Sequence, residues 1–184
     1  MKILQFAEHC RPIEGEKTIR MTFGATPYWR NRELLKKGHE AVYVCGGEPH
    51  EKKEEIVSGL LVKRYPIFFR IGGHAFYSPK IEEDCDLVMA DYYGLGSPYV
   101  ALIYAKTHKK KFVFYPGFHP PDVAVHKRVR SLYDFFIGRN LFTQADHLIA
   151  STKKEKTAFE QICELKQNIC GAPGVALRCF QKGI

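Results

Sequence analysis

No apolar run in the sequence approaches the roughly 18 residues that span a membrane as a helix. The opening residues, Met1-Lys2-Ile3-Leu4-Gln5-Phe6-Ala7-Glu8, are charged too early for a secretory signal, so a cytoplasmic protein is expected. No C-x-x-C pair occurs among the six cysteines (Cys10, Cys45, Cys85, Cys163, Cys170 and Cys179), which argues against a structural zinc site and assigns no metal. With no export signal, reduced thiols are expected, and Cys45 and Cys85 read as small core residues. No G-x-G-x-x-G follows the first apolar stretch, which counts against a dinucleotide-binding enzyme. No arginine-rich helix or nucleic-acid motif accompanies the net charge of +8, so the basic balance points to an anionic membrane surface or phosphorylated substrate rather than nucleic acid. Internal repeats and low-complexity segments are also missing.

What is present suffices for one well-cored domain: 184 residues, 45% hydrophobic and 13% aromatic. Lys2 to Ala7 reads as a first strand. A polar loop follows from Glu8 to Ala25. Thr26-Pro27 is a helix start, with Thr26 as cap and Pro27 in the first turn. The helix runs from Tyr28 to Lys37 with Tyr28, Leu34 and Leu35 inward, and Gly38 closes it. Glu33 is expected to pair with a basic neighbour at helical spacing. Ala41 to Cys45 is a second strand, joined to the first by a right-handed crossover. Ile56 to Tyr65 reads as a strand pair or one extended strand around Gly59. Pro66 to Pro79, with Phe68, Phe69, Phe76 and Tyr77 around Gly72-Gly73, is too interrupted for a regular element. It reads as an excursion over the surface whose aromatics either bind something apolar or pack onto the body.

Asp86 to Ala90 is a buried strand, and Ser97-Pro98 is a second cap-plus-proline start, leading into a helix from Tyr99 to Thr107. Phe112-Val113-Phe114-Tyr115 is an apolar run bounded by turn formers, read as a strand buried on both faces. The loop Pro116 to Asp122 at its carboxyl end is the first candidate for a functional edge. A helical region spans Asp122 to Thr143, where Gly138 bends or divides it. His147 to Ala150 is a strand, and Thr152-Lys153-Lys154-Glu155 is a capping box. The tail from Asn168 to Ile184 ends without a clear element. Alternating strands and helices predict an α/β protein with an open, mostly parallel sheet and helices on both faces.

Several stretches carry a resemblance in order along the chain. Glu33-Leu34-Leu35 through Gly38-His39-Glu40-Ala41-Val42 resembles a helix-to-strand G-H-E-V passage. Gly59 to Pro66 is similar to a G-V-x-V-x-R-x-P strand. Asp86 to Ala90, Leu132-Tyr133-Asp134, Gly138-Arg139 and Ala145 to Thr152 continue the series. Pro173-Gly174-Val175 with Phe180 stands where an interdomain join is found. Together these resemble the amino-terminal half of a GT-B glycosyltransferase of glycosyltransferase family 4. The resemblance implies a Rossmann-like acceptor-side domain over residues 1–170 and an interdomain linker over 171–184. The donor-binding domain with its E-x7-E motif is absent from this sequence. It implies a retaining enzyme that transfers a sugar from a nucleotide-diphosphate sugar to a lipid-linked or saccharide acceptor, in cell envelope biosynthesis. This domain would be inactive alone, whether cut from a two-domain chain or forming half of a split enzyme. It would hold no cofactor of its own, the nucleotide-sugar belonging to the complete enzyme. Peripheral association with the inner face of the cell membrane follows from the basic charge and the aromatic excursion.

The resemblance also nominates site residues. Relatives carry a Gly-Gly pair in the loop after the first strand, where Glu14-Gly15-Glu16 stands here. Gly15 is the phosphate-cradle candidate, and an ordinary loop is the alternative. Relatives place two histidines after the strand at Phe112. Gly117 occupies the first of these positions and His119 the second. His119 is the catalytic candidate, able to bond a donor or acceptor hydroxyl or to be satisfied by backbone. From the residues themselves, Asp91, Tyr92 and Tyr93 at a strand's carboxyl end can accept from hydroxyls and stack on a sugar face, though Tyr92 can equally pack. Arg30, beside Trp29 near a helix start, faces either a cleft or solvent. Ser151 and Thr152 are explained as a helix cap. No nucleophile is assigned, since catalysis in the resembled enzymes rests on positioning and leaving-phosphate stabilisation. The alternative from another class is a non-catalytic membrane-docking or scaffold subunit that pairs with a separate donor-binding chain.

Overall fold

A computed structural model describes residues 1–8, 10–12, 19–21, 26–57, 59–71, 74–77, 80–92, 96–117, 138–153, 155–157 and 169–171. Its strands are β1 (Lys2–Phe6), β2 (Cys10–Pro12), β3 (Ile19–Met21), β4 (Glu40–Gly47), β5 (Glu54–Val57), β6 (Leu60–Ile71), β7 (His74–Tyr77), β8 (Leu87–Asp91), β9 (Lys111–Tyr115), β10 (His147–Ala150) and β11 (Ile169–Gly171). The helices are α1 (Thr26–Lys36), α2 (Ser97–Thr107) and α3 (Arg139–Gln144). The main sheet runs β11-β10-β9-β8-β1-β4-β6-β5, with β7 added on β6. All neighbours along that path are parallel except β5, which returns antiparallel on β6. This is a Rossmann-like α/β architecture, as the alternation of strands and helices predicts.

The buried strands read as continuous apolar runs because both faces are covered. In β8 and β4 every residue after the first turn-facing position is buried. On one face Leu4, Phe6, Val88, Ala90, Phe112 and Phe114 pack against Val100, Ala101, Tyr104 and Ala105 of α2 and Phe142 of α3. On the other, Ile3, Met89 and Val113 pack under Leu34 of α1. Ala41, Tyr43 and Cys45 form the adjoining cluster with Leu35. Cys45 and Cys85 are buried free thiols, as expected. Gly38 ends α1 with φ 78°, and Lys36 bonds Glu33 at 2.6 Å, both as the sequence predicts. Thr152 Oγ1 accepts from the Glu155 N–H at 3.1 Å. The Glu155 carboxylate accepts from the Ser151 N–H at 2.6 Å, so the box closes one residue earlier than the standard pattern.

Four expectations are corrected. The stretch after Pro66 is regular: β6 continues to Ile71 and turns back as β7. Pro66 takes the last register position against β4, opposite Gly47, where the ladder ends and a missing N–H costs least. Tyr77 packs onto the body, one of the two readings open for these aromatics, with its hydroxyl donating to the Ala7 and Val44 carbonyls. The loop after β1 contains an antiparallel ribbon, with Arg11 opposite Arg20. The tail carries β11, whose Ile169 and Cys170 lie beside Leu148 and Ile149, so regular structure extends to Gly171. Ser97 does not cap α2. Gly96 holds the cap position without a side-chain bond, and Ser97 is itself helical and buried. The helical region expected from Asp122 is described only from Gly138 onward, where α3 follows.

Gly96 shows a packing requirement. A Cβ there would lie 2.7 Å from the Ala75 carbonyl oxygen and 3.2 Å from the Phe76 ring. The backbone of β7 must therefore move to admit it. Gly96→Ala is expected to cost about 1–3 kcal/mol as an overpacked contact, read as a lowered urea midpoint with unchanged m-value.

Candidate functional site

Strand order reverses between β8 and β1. From β1 the chain steps outward to β4 and β6, and from β8 it steps the other way to β9, β10 and β11. In open α/β sheets the crevice beyond the carboxyl ends at this switch point is the usual ligand site. Three polar side chains meet there. Gln5 of β1 and Asp91 of β8 point to the face covered by α1, because each stands an even number of residues from an apolar neighbour on that face, Ile3 and Met89. Arg30 descends from α1 to join them. Gln5 Nε2 donates to Asp91 Oδ2 at 2.8 Å, and Arg30 donates to the same Oδ2 at 2.7 Å and to Gln5 Oε1 at 2.6 Å. The Arg30 guanidinium also lies over the Tyr115 ring, 5.8 Å from its centroid. The Tyr115 hydroxyl shares a hydrogen bond with Ser151. One polar chain thus links β1, β8, β9 and the turn after β10.

Burial sets the electrostatics. It raises the Asp91 carboxyl above its ordinary range, and Arg30, by charge and hydrogen bond, offsets this only in part. Burial also opposes the Arg30 charge, but Asp91, by charge and hydrogen bond, together with Tyr43 and Tyr115, outweighs it and holds the guanidinium up. Among the described residues, several polar atoms in this part of the molecule are buried with no hydrogen-bond partner: Asp91 Oδ1, Arg30 Nε, both atoms of the Asn31 amide, and Ser97 Oγ. Asp91 ends β8, Ser97 begins α2, and Arg30 and Asn31 follow the start of α1. A buried polar atom without a partner is the kind of group that a water or a ligand hydroxyl satisfies.

The nominated residues separate accordingly. Arg30 and Asp91 are brought together, with Arg30 turned inward against Tyr115 while its neighbour Trp29 stays exposed beside Arg32. Tyr92 and Gly117 meet on the next strand pair. Both have positive φ, 65° and 53°, and the Tyr92 N–H donates to the Tyr115 carbonyl at 2.9 Å. A Cβ on Gly117 would sit 3.1 Å from the Tyr92 ring, so the glycine makes room for Tyr92 to pack. Gly15, Tyr93 and His119 lie outside the described residues. Sequence reasoning missed Gln5. Its signal was a lone amide in an otherwise apolar strand, between Leu4 and Phe6. Glu8 was missed as well: it is buried at the end of β1 and accepts from the Ala75 N–H at 2.6 Å, tying β7 to the edge of the site. Among the described residues no three His, Cys, Asp or Glu side chains converge as metal ligands. No described helix is long and apolar enough to cross a membrane.

No family model and no curated protein matches the sequence. Among solved structures, the sucrose-phosphate synthase of Thermosynechococcus elongatus superposes with a TM-score of 0.61 at 11% identity. The match covers 92% of this chain and 47% of the synthase, so the chain spans about half the length of that neighbour. At this identity the likeness is one of fold: the chain shares the architecture of about half of that synthase, with its polar network at the switch point of the sheet.

Proposed function

We propose that this chain is the acceptor-side domain of a retaining glycosyltransferase that uses a nucleotide-diphosphate sugar and a saccharide or lipid-linked acceptor. One observation carries the reading. In a fold shared with half of a glycosyltransferase, a buried carboxylate stands at the switch point with one oxygen engaged and the other without a hydrogen-bond partner among the described residues. A carboxylate oriented by a guanidinium and an amide is suited to accept from a sugar hydroxyl, and a charge-assisted bond of that kind contributes roughly 1.5–3 kcal/mol. Arg30, whose buried Nε likewise has no partner among the described residues, supplies a donor beside it. Acceptor hydroxyls would be held at Asp91 and Arg30, with Gln5 and Tyr115 fixing those two. The donor sugar would be bound by a second α/β unit, and the chain alone would transfer nothing.

Saturation-transfer NMR of the chain with glucose, mannose, galactose and UDP-glucose tests this. At least one monosaccharide is expected to give ring-proton signals, with UDP-glucose giving none from its nucleotide. Asp91→Asn, confirmed folded by circular dichroism, is expected to weaken the monosaccharide by about tenfold to a hundredfold. Arg30→Lys provides a second variant that keeps the charge and loses the fork geometry. Unchanged monosaccharide binding in both variants would sink the assignment.

A further inference from the structure

A second groove opens on the same edge of the sheet, on the far side of β1 from β8. It has a volume of about 880 Å3 and lies where β4 ends at Gly47 and β6 runs on past it. That volume falls within the roughly 300–1,000 Å3 of small-molecule sites. Two phenylalanines on its wall are left to solvent, Phe68 at 67% and Phe69 at 52% exposure. Phe69 does not swing freely. Its ring stacks on Phe76 of β7, with centroids 4.7 Å apart and planes 10° from parallel. One aromatic face is thereby held in place and the other left open.

Ion pairs border these rings. Arg70 bonds Glu48, and Lys63 bonds both Glu83 and Glu54, the latter at 3.0 Å. Five carboxylates and five cations line the groove, so it carries no net charge although the whole chain carries +8. That balance disfavours an anionic lipid surface, which binds through an excess of Lys and Arg. It equally disfavours phosphate or nucleic acid. Paired carboxylates and cations instead present acceptors and donors side by side, matching a neutral molecule rich in hydroxyls. A rigid aromatic face next to them matches the apolar C–H face of a sugar ring. We infer that this groove binds a neutral oligosaccharide, stacked on Phe68 and Phe69 and bonded by the Glu48–Arg70 pair. Its use for the distal residues of an acceptor glycan rests on the function proposed above; the binding itself does not.

The test is saturation-transfer NMR of the chain with maltotriose, cellotriose and mannotriose, comparing wild type, Phe68→Ser, Phe68→Ser/Phe69→Ser and Asp91→Asn. The exposed side chains can be replaced with little effect on stability, and Phe68→Ser alone leaves the Phe69–Phe76 stack intact. At least one trisaccharide is expected to bind wild type and still to give signals with Asp91→Asn, where the switch-point carboxylate no longer contributes. Binding should weaken by about tenfold or more in the double variant, as for loss of a central aromatic anchor. Trisaccharide signals absent from wild type, or undiminished in the double variant, overturn the inference. So do two other results: dependence of sedimentation with phosphatidylcholine–phosphatidylglycerol vesicles, rather than of sugar binding, on the two phenylalanines, and a wild-type dimer that the double variant dissociates with no change in sugar binding. Failure here with Asp91-dependent monosaccharide binding intact would leave the switch-point reading standing. The reverse pattern would leave only the groove.

Discussion

Replacing Arg30 with Met is expected to destabilise the protein by about 3–5 kcal/mol near neutral pH, because it strands the Asp91 carboxylate in a buried site. The effect should depend on pH in a defined direction. Burial already lifts the Asp91 carboxyl above its ordinary value, and Arg30 is the group that pulls it back. Without Arg30 the folded-state value rises further. A carboxyl raised in the folded state favours the fold while protonated, and that contribution is lost as pH rises through the raised value. The Arg30→Met deficit is therefore smallest at pH below the ordinary carboxylate range and grows toward neutrality. Urea unfolding at a series of pH values reads it directly. Pairing the change with Asp91→Asn should recover much of the loss, since no buried charge is then left alone. A deficit that stays constant with pH, or a double variant no better than the single, would show that Arg30 acts through packing and not through Asp91.

Phe114→Ala is expected to cost about 3–5 kcal/mol for a different reason. Phe114 is fully buried on β9, between β8 and β10, and its ring meets Phe112 at 6.0 Å and Phe142 at 5.6 Å. These neighbours belong to the strand itself and to α3, so the sheet and its cover cannot both close on the void. For a chain of this size the loss corresponds to a fall in Tm on the order of 10 °C. Differential scanning calorimetry checks it, with Phe68→Ser as an exposed control that should shift Tm by very little. A Phe114→Ala loss under about 1 kcal/mol would mean that the core relaxes into the cavity.

Much of the fold was legible because its central strands are short apolar runs closed by turn residues. Asp86 to Ala90, Phe112 to Tyr115 and His147 to Ala150 all read correctly, within a residue at the ends. The signal failed where local chemistry and tertiary pairing disagree. Pro66 and Gly72-Gly73 announce breaks, yet β6 runs through the proline because the β4 ladder stops there, and β7 pairs with the strand beyond it. Ile169-Cys170-Gly171 is too short to show any period and becomes a strand only by lying beside Leu148 to Ala150. Ser97-Pro98 has the composition of a cap. The approach of Ala75 gives the cap position to Gly96, whose missing Cβ is what fits.

The candidate site divides in the same way. Asp91 and Arg30 stand out in the sequence as polar residues at a strand end and a helix start, and the alternation of elements implies a sheet edge to receive them. Their partnership is invisible there. Arg30 is 25 residues from Gln5 and 61 from Asp91, and only the crossover of α1 above the sheet brings the three within hydrogen-bond reach. The sequence by itself determined the α/β class, the buried central strands and the ends where chemistry can sit, because period and turn chemistry are local properties. Tertiary structure alone decided which polar groups share one buried network, which oxygen of Asp91 is left without a partner among the described residues and which phenylalanines remain outside. Those depend on strand order, on the side each helix covers, and on the solvent that packing excludes.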